Sequence, residues 1–267
     1  MKILGDYHTH TKFSDGKNSV IEMARTAKER GLLEIAITDH SFGKIIKRLK
    51  RKHFTRLLGE VESARSELSV LSGIECNILT TNGLIDLDDE MSKKLDLILL
   101  GTHVCIFFSL RAFLTFLLPN IFFRIIRFTP KFQIRHNTKI VKRAIEQNPI
   151  DIFTHPNRYF KIDVLEIAKV CAEHGVLMEL NNKKISIRPI DFERMTALGA
   201  KFVICSDAHS IKRIGDTSRV EEFLKHCDFD RNSIINLERT FTEYANERNK
   251  KRDTETQTNR GFFRRWI

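Results

Sequence analysis

Residues 5–16, GDYHTHTKFSDG, set His8 and His10 two apart at the end of an apolar run that begins with Ile3 and Leu4, and place the carboxylate of Asp15 five residues further on. A strand turns successive side chains to opposite faces, so a spacing of two returns both imidazoles to one side. Taken alone, two histidines at a strand end are an ordinary hydrogen-bonded feature. What the chain does at equivalent places elsewhere decides the reading.

Strand-like and helix-like stretches alternate through most of the 267 residues. After KILGDYH comes SVIEMARTAKERG, with apolar residues at helical spacing, Ser19 as a candidate cap and Gly31 as a stop. EIAITDH then reads as strand, FTRLLGEVESARSEL as helix, SVLSGIE and LDLILLGTH as strands. Further on, NTKIVKRAIEQ (helix), IDIFTHP (strand), DVLEIAKVCAEHG (helix), VLMELNN (strand), IDFERMTALGA (helix), KFVICSDAH (strand) and RVEEFLKHC (helix) continue the alternation. Strands that are apolar throughout are buried on both faces, as parallel sheets require. Repeated β-α units of this kind predict an α/β fold, either a (β/α) barrel or a doubly wound sheet.

The strand ends carry the chemistry. They finish in His8 and His10, Asp39 and His40, Glu75, His103, His155, Glu179 and Asn181, and Asp207 and His209. In a parallel barrel these ends converge on one face, where loops build the active site. Imidazole nitrogens and carboxylate oxygens together suit first-row divalent ions such as zinc, manganese or iron. As structural residues so many buried polar groups would be costly. His53, His136, His174 and His226 lie in helix-like or loop stretches and receive no role.

Composition narrows the class. A hydrophobic share of 42% with 30% charged residues is ordinary for a globular chain, and disorder is not expected. A net charge of +11 favours an anionic partner: a phosphorylated small molecule, nucleic acid or a membrane surface. Cys76, Cys105, Cys171, Cys205 and Cys227 are scattered, without CxxC spacing, which reads as reduced core cysteine. With no N-terminal apolar stretch long enough for a secretory signal, the expectation is a cytoplasmic protein.

Two segments stand apart. Residues 104–132, VCIFFSLRAFLTFLLPNIFFRIIRFTPKF, carry eight phenylalanines, and Arg111, Pro119, Arg124 and Arg127 break the apolar runs before any reaches membrane-spanning length. Three readings stay open: a helical hairpin packed on the barrel or on a second subunit, a lid over the site, or a membrane-surface element. The C-terminal ERNKKRDTETQTNRGFFRRWI is basic and polar and reads as a frayed tail, or as a tether with Phe262, Phe263 and Trp266 as anchors.

The ordered set HTH with a following SDG, TDH, GIE, GTH, THP, ELNN and SDAH resembles the polymerase and histidinol phosphatase (PHP) family of metal-dependent phosphoesterases. The resemblance spans roughly residues 1–230 and implies a distorted (β/α)7 barrel, with residues 231–267 as a C-terminal helix and basic tail. It further implies three divalent ions at the C-terminal face. His8, His10, Glu75 and Asp207 would hold the first, and are also the candidate catalytic residues. Glu75, His103 and His155 would hold the second, and Asp15, His40 and His209 the third. Asp15 stands where some members carry histidine.

The chemistry implied is hydrolysis of a small phosphate monoester by hydroxide generated between two ions. Arg158, Arg188 and Arg213 follow strand-end motifs and are candidate phosphate contacts, with Asn181 and Asn182 as orienting groups. Asp39 is read as orienting a ligand histidine or capping its strand. Alternatives are a 3'-5' exonuclease or nucleotide phosphodiesterase, and an inactive metal-binding scaffold at a membrane. Partners expected are a small phosphorylated substrate, with nucleic acid less favoured, and a peripheral membrane or homo-oligomer contact through residues 104–132.

Overall fold

The computed structural model describes residues 1–43, 48–104 and 109–250. Seven parallel strands follow in chain order around the sheet: β1 Gly5–Asp6, β2 Glu34–Ile37, β3 Ser69–Asn77, β4 Leu97–Gly101, β5 Ile152–Phe153, β6 Leu177–Asn181 and β7 Phe202–Cys205. The two edges meet. Beside the bridge between Thr9 and Ala208, His10 N donates to Ala208 O at 2.8 Å and Ala208 N to His8 O at 3.2 Å. The result is a nearly closed (β/α)7 barrel, one of the two folds that the repeated β-α pattern left open and the one that the family resemblance implies.

Helices cover the outside: α1 Val20–Glu29, α2 Phe54–Ala64, α3 Asp89–Ser92, α4 Leu110–Ala112, α5 Leu118–Ile125, α6 Lys131–Gln147, α7 Val164–His174, α8 Pro189–Ala197 and α9 Ser218–Leu224. Ser19 caps α1 in a reciprocal box with Glu22, and Gly31 takes a φ of 74° just past the helix end. That left-handed turn suits glycine, which has no Cβ to clash. Helix α6 begins six residues before the expected Asn137, with Pro130 as its N-cap, whose carbonyl accepts the N–H groups of Gln133 and Ile134 at 3.0 and 3.1 Å. Residues 113–117 form a π-helical turn that continues α4 into α5, so the described part of the Phe-rich insertion is one helical run that turns back at residues 126–130 into α6, where Phe132 meets Phe123 and Asn137 bonds Asn120.

Strand periodicity separates two buried apolar clusters. Ile35, Ile74, Ile98, Leu100, Met178 and Ile204 face outward toward the helices. Ala36, Leu71, Leu97, Leu99, Leu177 and Val203 face the barrel interior. Continuing the interior parity up each strand gives Ala36, Thr38, His40; Leu71, Gly73, Glu75; Leu97, Leu99, Gly101, His103; Leu177, Glu179, Asn181; and Val203, Cys205, Asp207. Each strand is thus apolar at the bottom and ionic at the top. Gly101 marks the crossover: a Cβ there would come within 2.5 Å of the His103 ring and 2.9 Å of Glu75 Oε1.

The barrel body continues past residue 230. Asn236 Nδ2 donates to Gly5 O at 2.8 Å and Ile204 O at 2.7 Å, stitching the first strand to the last. Phe241 closes the bottom, its ring 5.8 Å from Tyr7 and its backbone N–H donating to Tyr7 Oη at 2.8 Å. Residues 241–250 are helical, while the tail anchors Phe262, Phe263 and Trp266, like Cys105, Phe107 and Phe108, lie outside the described residues. Cys76, Cys171, Cys205 and Cys227 are free thiols. Among the described residues no helix is long and apolar enough to cross a membrane.

Candidate metal centre

The upper interior positions gather six imidazoles and three carboxylates into one cluster. Glu75, fully buried on β3, is its hub: its oxygens lie 2.8 Å from His40 and His155, 3.4 Å from His8 and His103, and 3.8 Å from His10. His10, His40 and His209 form a second layer, with His10 ring centroids 4.4 Å from His40 and 4.3 Å from His209. Asp15 meets that layer from the loop after β1, 3.4 Å from His209 and 3.5 Å from His40.

Three rings are turned the same way by their partners. Glu179 carboxylate oxygens can only accept, so His8 Nδ1–H donates to Oε1 at 2.7 Å. The Asn77 amide gives its N–H groups to Ser41 and Asp86, leaving Oδ1 to accept from His103 Nδ1–H at 2.6 Å. His209 Nδ1–H donates to the backbone carbonyl of Asp207 at 3.0 Å. Each Nε2 lone pair is thereby aimed into the cluster, the arrangement that fixes metal-binding histidines. His155 and Asp207 hold left-handed backbone, at φ 32° and 51°. Such strain in non-glycine residues concentrates at functional sites.

Electrostatics hold four of the donors, His10, Asp15, Glu75 and Asp207, in ligand form. Burial, and then the neighbouring His40, His209 and His8, hold the His10 imidazole well below its ordinary pKa. Burial alone would raise Glu75, but His103, His8 and His40 hold it well below the usual carboxylate range. Burial is likewise outweighed at Asp207 by His8 and His10, and at Asp15 by His209 and His40, so both carboxyls are lowered. His8 runs the other way: burial disfavours its charge, yet Glu179 and Glu75 raise its pKa.

A metal fits this set. His8 Nε2, both ring nitrogens of His10, and Glu75 Oε2 are buried without a hydrogen bond, a costly arrangement unless something between them supplies the missing contacts. Ligand atoms lie within 4.8 Å of one another in three groups: His10, Asp15, His40 and His209; His8, His10 and Asp207; His40, Glu75 and His103. These overlap with the sets implied by the resemblance but share residues differently. His10 and His40 each serve two groups, and His155 falls outside all three while keeping its 2.8 Å contact to Glu75.

Above the cluster opens a cleft of about 190 Å³, lined by Asp15, His209, Tyr159, Arg158 and Lys183 among others. Larger recesses occur elsewhere, including one of about 490 Å³ at the strands' N-terminal ends, but Asp151 and Arg248 there are ion-paired at 2.8 Å. Arg158 reaches the cleft as expected and donates to Asp207 Oδ2 at 2.8 Å. Arg188 and Arg213 do not line it. Arg188 is exposed and paired with Asp191 at 2.7 Å at the start of α8, and Arg213 is paired with Asp216 at 3.0 Å. Asn181 is buried beneath, its amide reaching Glu179 and Asp207, while Asn182 accepts two backbone N–H groups at the start of α9. Asp39 accepts from Thr11 and Ser14, so it pins the loop that carries Asp15.

Lys183 escaped the sequence reading, although it directly follows ELNN. Its Nζ lies 3.3 Å from Asp207 Oδ1. Asn77, Thr154 and the positioning role of Glu179 were also missed. Asn77 stands in no motif, while Thr154 lies in THP and Glu179 in ELNN; each acts by touching a residue distant in sequence, Asn77 His103, Thr154 Glu75 and Glu179 His8.

A parallel barrel with a histidine and carboxylate cluster at its C-terminal face defines a class of metal-dependent hydrolases. The family model of the PHP domain matches residues 6–183, and the chain belongs to that family of metal-dependent phosphoesterases. Among curated relatives it is 30% identical to a "probable phosphatase" of Photobacterium profundum, covering 94% of this chain and 97% of the relative. A second "probable phosphatase", from Proteus mirabilis, is 30% identical, covering 86% and 89%. Among solved structures, the histidinol phosphate phosphatase of Lactococcus lactis, complexed with zinc, L-histidinol and phosphate, superposes with a TM-score of 0.55 at 14% identity, covering 85% of this chain and 94% of that one. At that identity the likeness speaks for the fold alone.

Proposed function

We propose that this protein hydrolyses a small phosphate monoester, using up to three divalent ions held by His8, His10, Asp15, His40, Glu75, His103, His155, Asp207 and His209. The observation that carries the reading is the hub position of Glu75 among five histidines, directly under a cleft bordered by two cations. Bound zinc, manganese or iron would supply a nucleophile from water at neutral pH and neutralise phosphate charge.

The chain's own residues do the rest. Arg158 and Lys183, both anchored through Asp207, present positive charge to the phosphoryl oxygens from one side of the cleft. The Arg158 guanidinium lies 5.3 Å over the Tyr159 ring, which limits its swing. Glu179 and Asn77 keep His8 and His103 turned toward the cluster. A cleft of about 190 Å³ admits a phosphoryl group and a small part of the ester, which favours a metabolite over a polymer.

One observation favours nucleotide or oligonucleotide hydrolysis as a second reading. A basic recess of about 690 Å³, lined by Lys12, Arg48, Lys50 and Arg56 around Phe13, adjoins the loop that carries Asp15. Phosphate release over a panel of phosphorylated metabolites, compared with degradation of labelled oligonucleotides at several salt concentrations, tests the two. Preference for oligonucleotides with steep salt dependence would overturn the monoester reading. An inactive scaffold would show no turnover on either panel with metal loaded.

A further inference from the structure

The apolar side chains left in water are concentrated in one place. Of the fifteen large apolar side chains exposed among the described residues, ten lie between Leu110 and Phe132. Leu110 (75% exposed), Leu114, Leu118, Ile121 and Ile125 (74%) recur at spacings of four and three along the run from α4 to α5, which forms one helical stripe. The inner side of the same run is packed on the body of the protein: Ala112, Phe116 and Leu117 are buried there, and one amide sits among them. Asn120 is buried and exchanges hydrogen bonds with Asn137 at 2.8 and 2.7 Å, and Gln133 donates to Asn137 at 2.9 Å. A run that is apolar on its buried side and again on its exposed side is unlike a water-facing helix, and a contiguous apolar patch of this kind marks an interaction surface.

Charge identifies the occupant. From Leu97 to Ile145 the chain contains no Asp or Glu. Arg111, Arg124, Arg127, Lys131 and Arg135 are all exposed in this stretch. A second copy of the chain would bring an identical basic surface against it, with no acid to pair. An anionic bilayer matches both features, since apolar side chains enter the acyl boundary while cations meet the headgroups.

We propose that the α4–α5 face docks on an anionic lipid surface, lying in its plane. The face is tied to the cleft, because the Arg124 guanidinium lies 5.7 Å over the ring of Tyr159, which lines the cleft rim. A bilayer held on this face therefore borders the site where phosphate esters would enter. The proposal stands independently of the hydrolysis reading, and soluble-substrate turnover is read separately.

The test is flotation of the full chain with vesicles of phosphatidylcholine, with and without phosphatidylglycerol. Binding is expected only to the phosphatidylglycerol vesicles, weakening as salt rises. Leu114→Glu with Ile125→Glu should lower partitioning by about a hundredfold. Arg111→Glu with Lys131→Glu should lower it by at least about tenfold. Both variants should keep the far-UV circular dichroism spectrum and aryl phosphate turnover of the parent. If the first misfolds, the charge-reversal pair still decides. No binding to anionic vesicles, or binding unaffected by either pair, overturns the proposal. So does a stable parent oligomer that Leu114→Glu with Ile125→Glu converts to monomer, which would make the face a self-association surface.

Discussion

Glu179 Oε1 accepts the Nδ1–H of His8 at 2.7 Å, joining two residues 171 positions apart, while its other oxygen accepts the backbone N–H of His155 at 2.6 Å. One carboxylate on β6 thus fixes candidate ligands from the ends of β1 and β5. Glu179→Gln keeps the shape and removes the charge that orients His8. Metal affinity should fall by about 10- to 100-fold with the fold intact, measured by competition with a chelating dye. Parental affinity in that variant would count against the assigned role.

Metal should stabilise the protein, by about 2.7 kcal/mol at a free concentration a hundred times the dissociation constant. The effect depends on pH in a definite direction. His8 has a raised pKa without metal, so its contribution to apo stability is full below about pH 6.5, the unfolded value, and is lost as pH rises through the folded one. Metal binding requires neutral imidazoles and strengthens over the same rise. Thermal melts with and without Mn²⁺ should diverge as pH increases from about 6 to 8. A gap that narrows with rising pH would contradict this.

Arg158 and Lys183 border the cleft, whereas Arg188 and Arg213 are committed to Asp191 and Asp216. Loss of a charged hydrogen bond to phosphate costs about 1.5–3 kcal/mol, so Arg158→Ala and Lys183→Ala should each lower kcat/KM by about 10- to 100-fold. Arg188→Ala and Arg213→Ala should stay near the parent. Steady-state kinetics on all four variants separates the pairs, and the reverse ranking would sink the assignment.

The seam at the barrel bottom predicts that residues past 230 are needed for folding. Phe241→Ala removes a buried ring at the base, a change worth about 3–5 kcal/mol. Truncation after residue 230 also removes Asn236 and the hydrogen bonds it makes to Gly5 and Ile204. Denaturant unfolding of the point variant should show the loss, and the truncated chain should fail to fold. A cooperative, soluble 1–230 fragment would contradict it.

Much of this arrangement was legible in the chain because strand periodicity and strand ends are local signals. His40, Glu75, His103 and Asp207 share parity with Ala36, Leu71, Leu99 and Val203, so each apolar strand points its last group into the same chamber. Groups that act across the barrel were not legible. Glu179 could be seen as a strand-end carboxylate, but its partner is 171 residues away. Arg188 followed a promising motif, yet Asp191 three residues later captures it at a helix start. Lys183, with no motif of its own, is brought to Asp207 by the turn that ends β6. Asn236 lay beyond the expected boundary because nothing local marks a side chain that bridges the first and last strands.

Phosphate release from an aryl phosphate by metal-stripped protein, titrated with Mn²⁺ or Zn²⁺, tests the central claim most directly. The parent should be silent when stripped and regain turnover on titration, while Glu75→Ala, lacking the carboxylate that touches five histidines, should stay silent at every metal concentration. Turnover by the stripped parent, or by Glu75→Ala at the parent's rate, would contradict it.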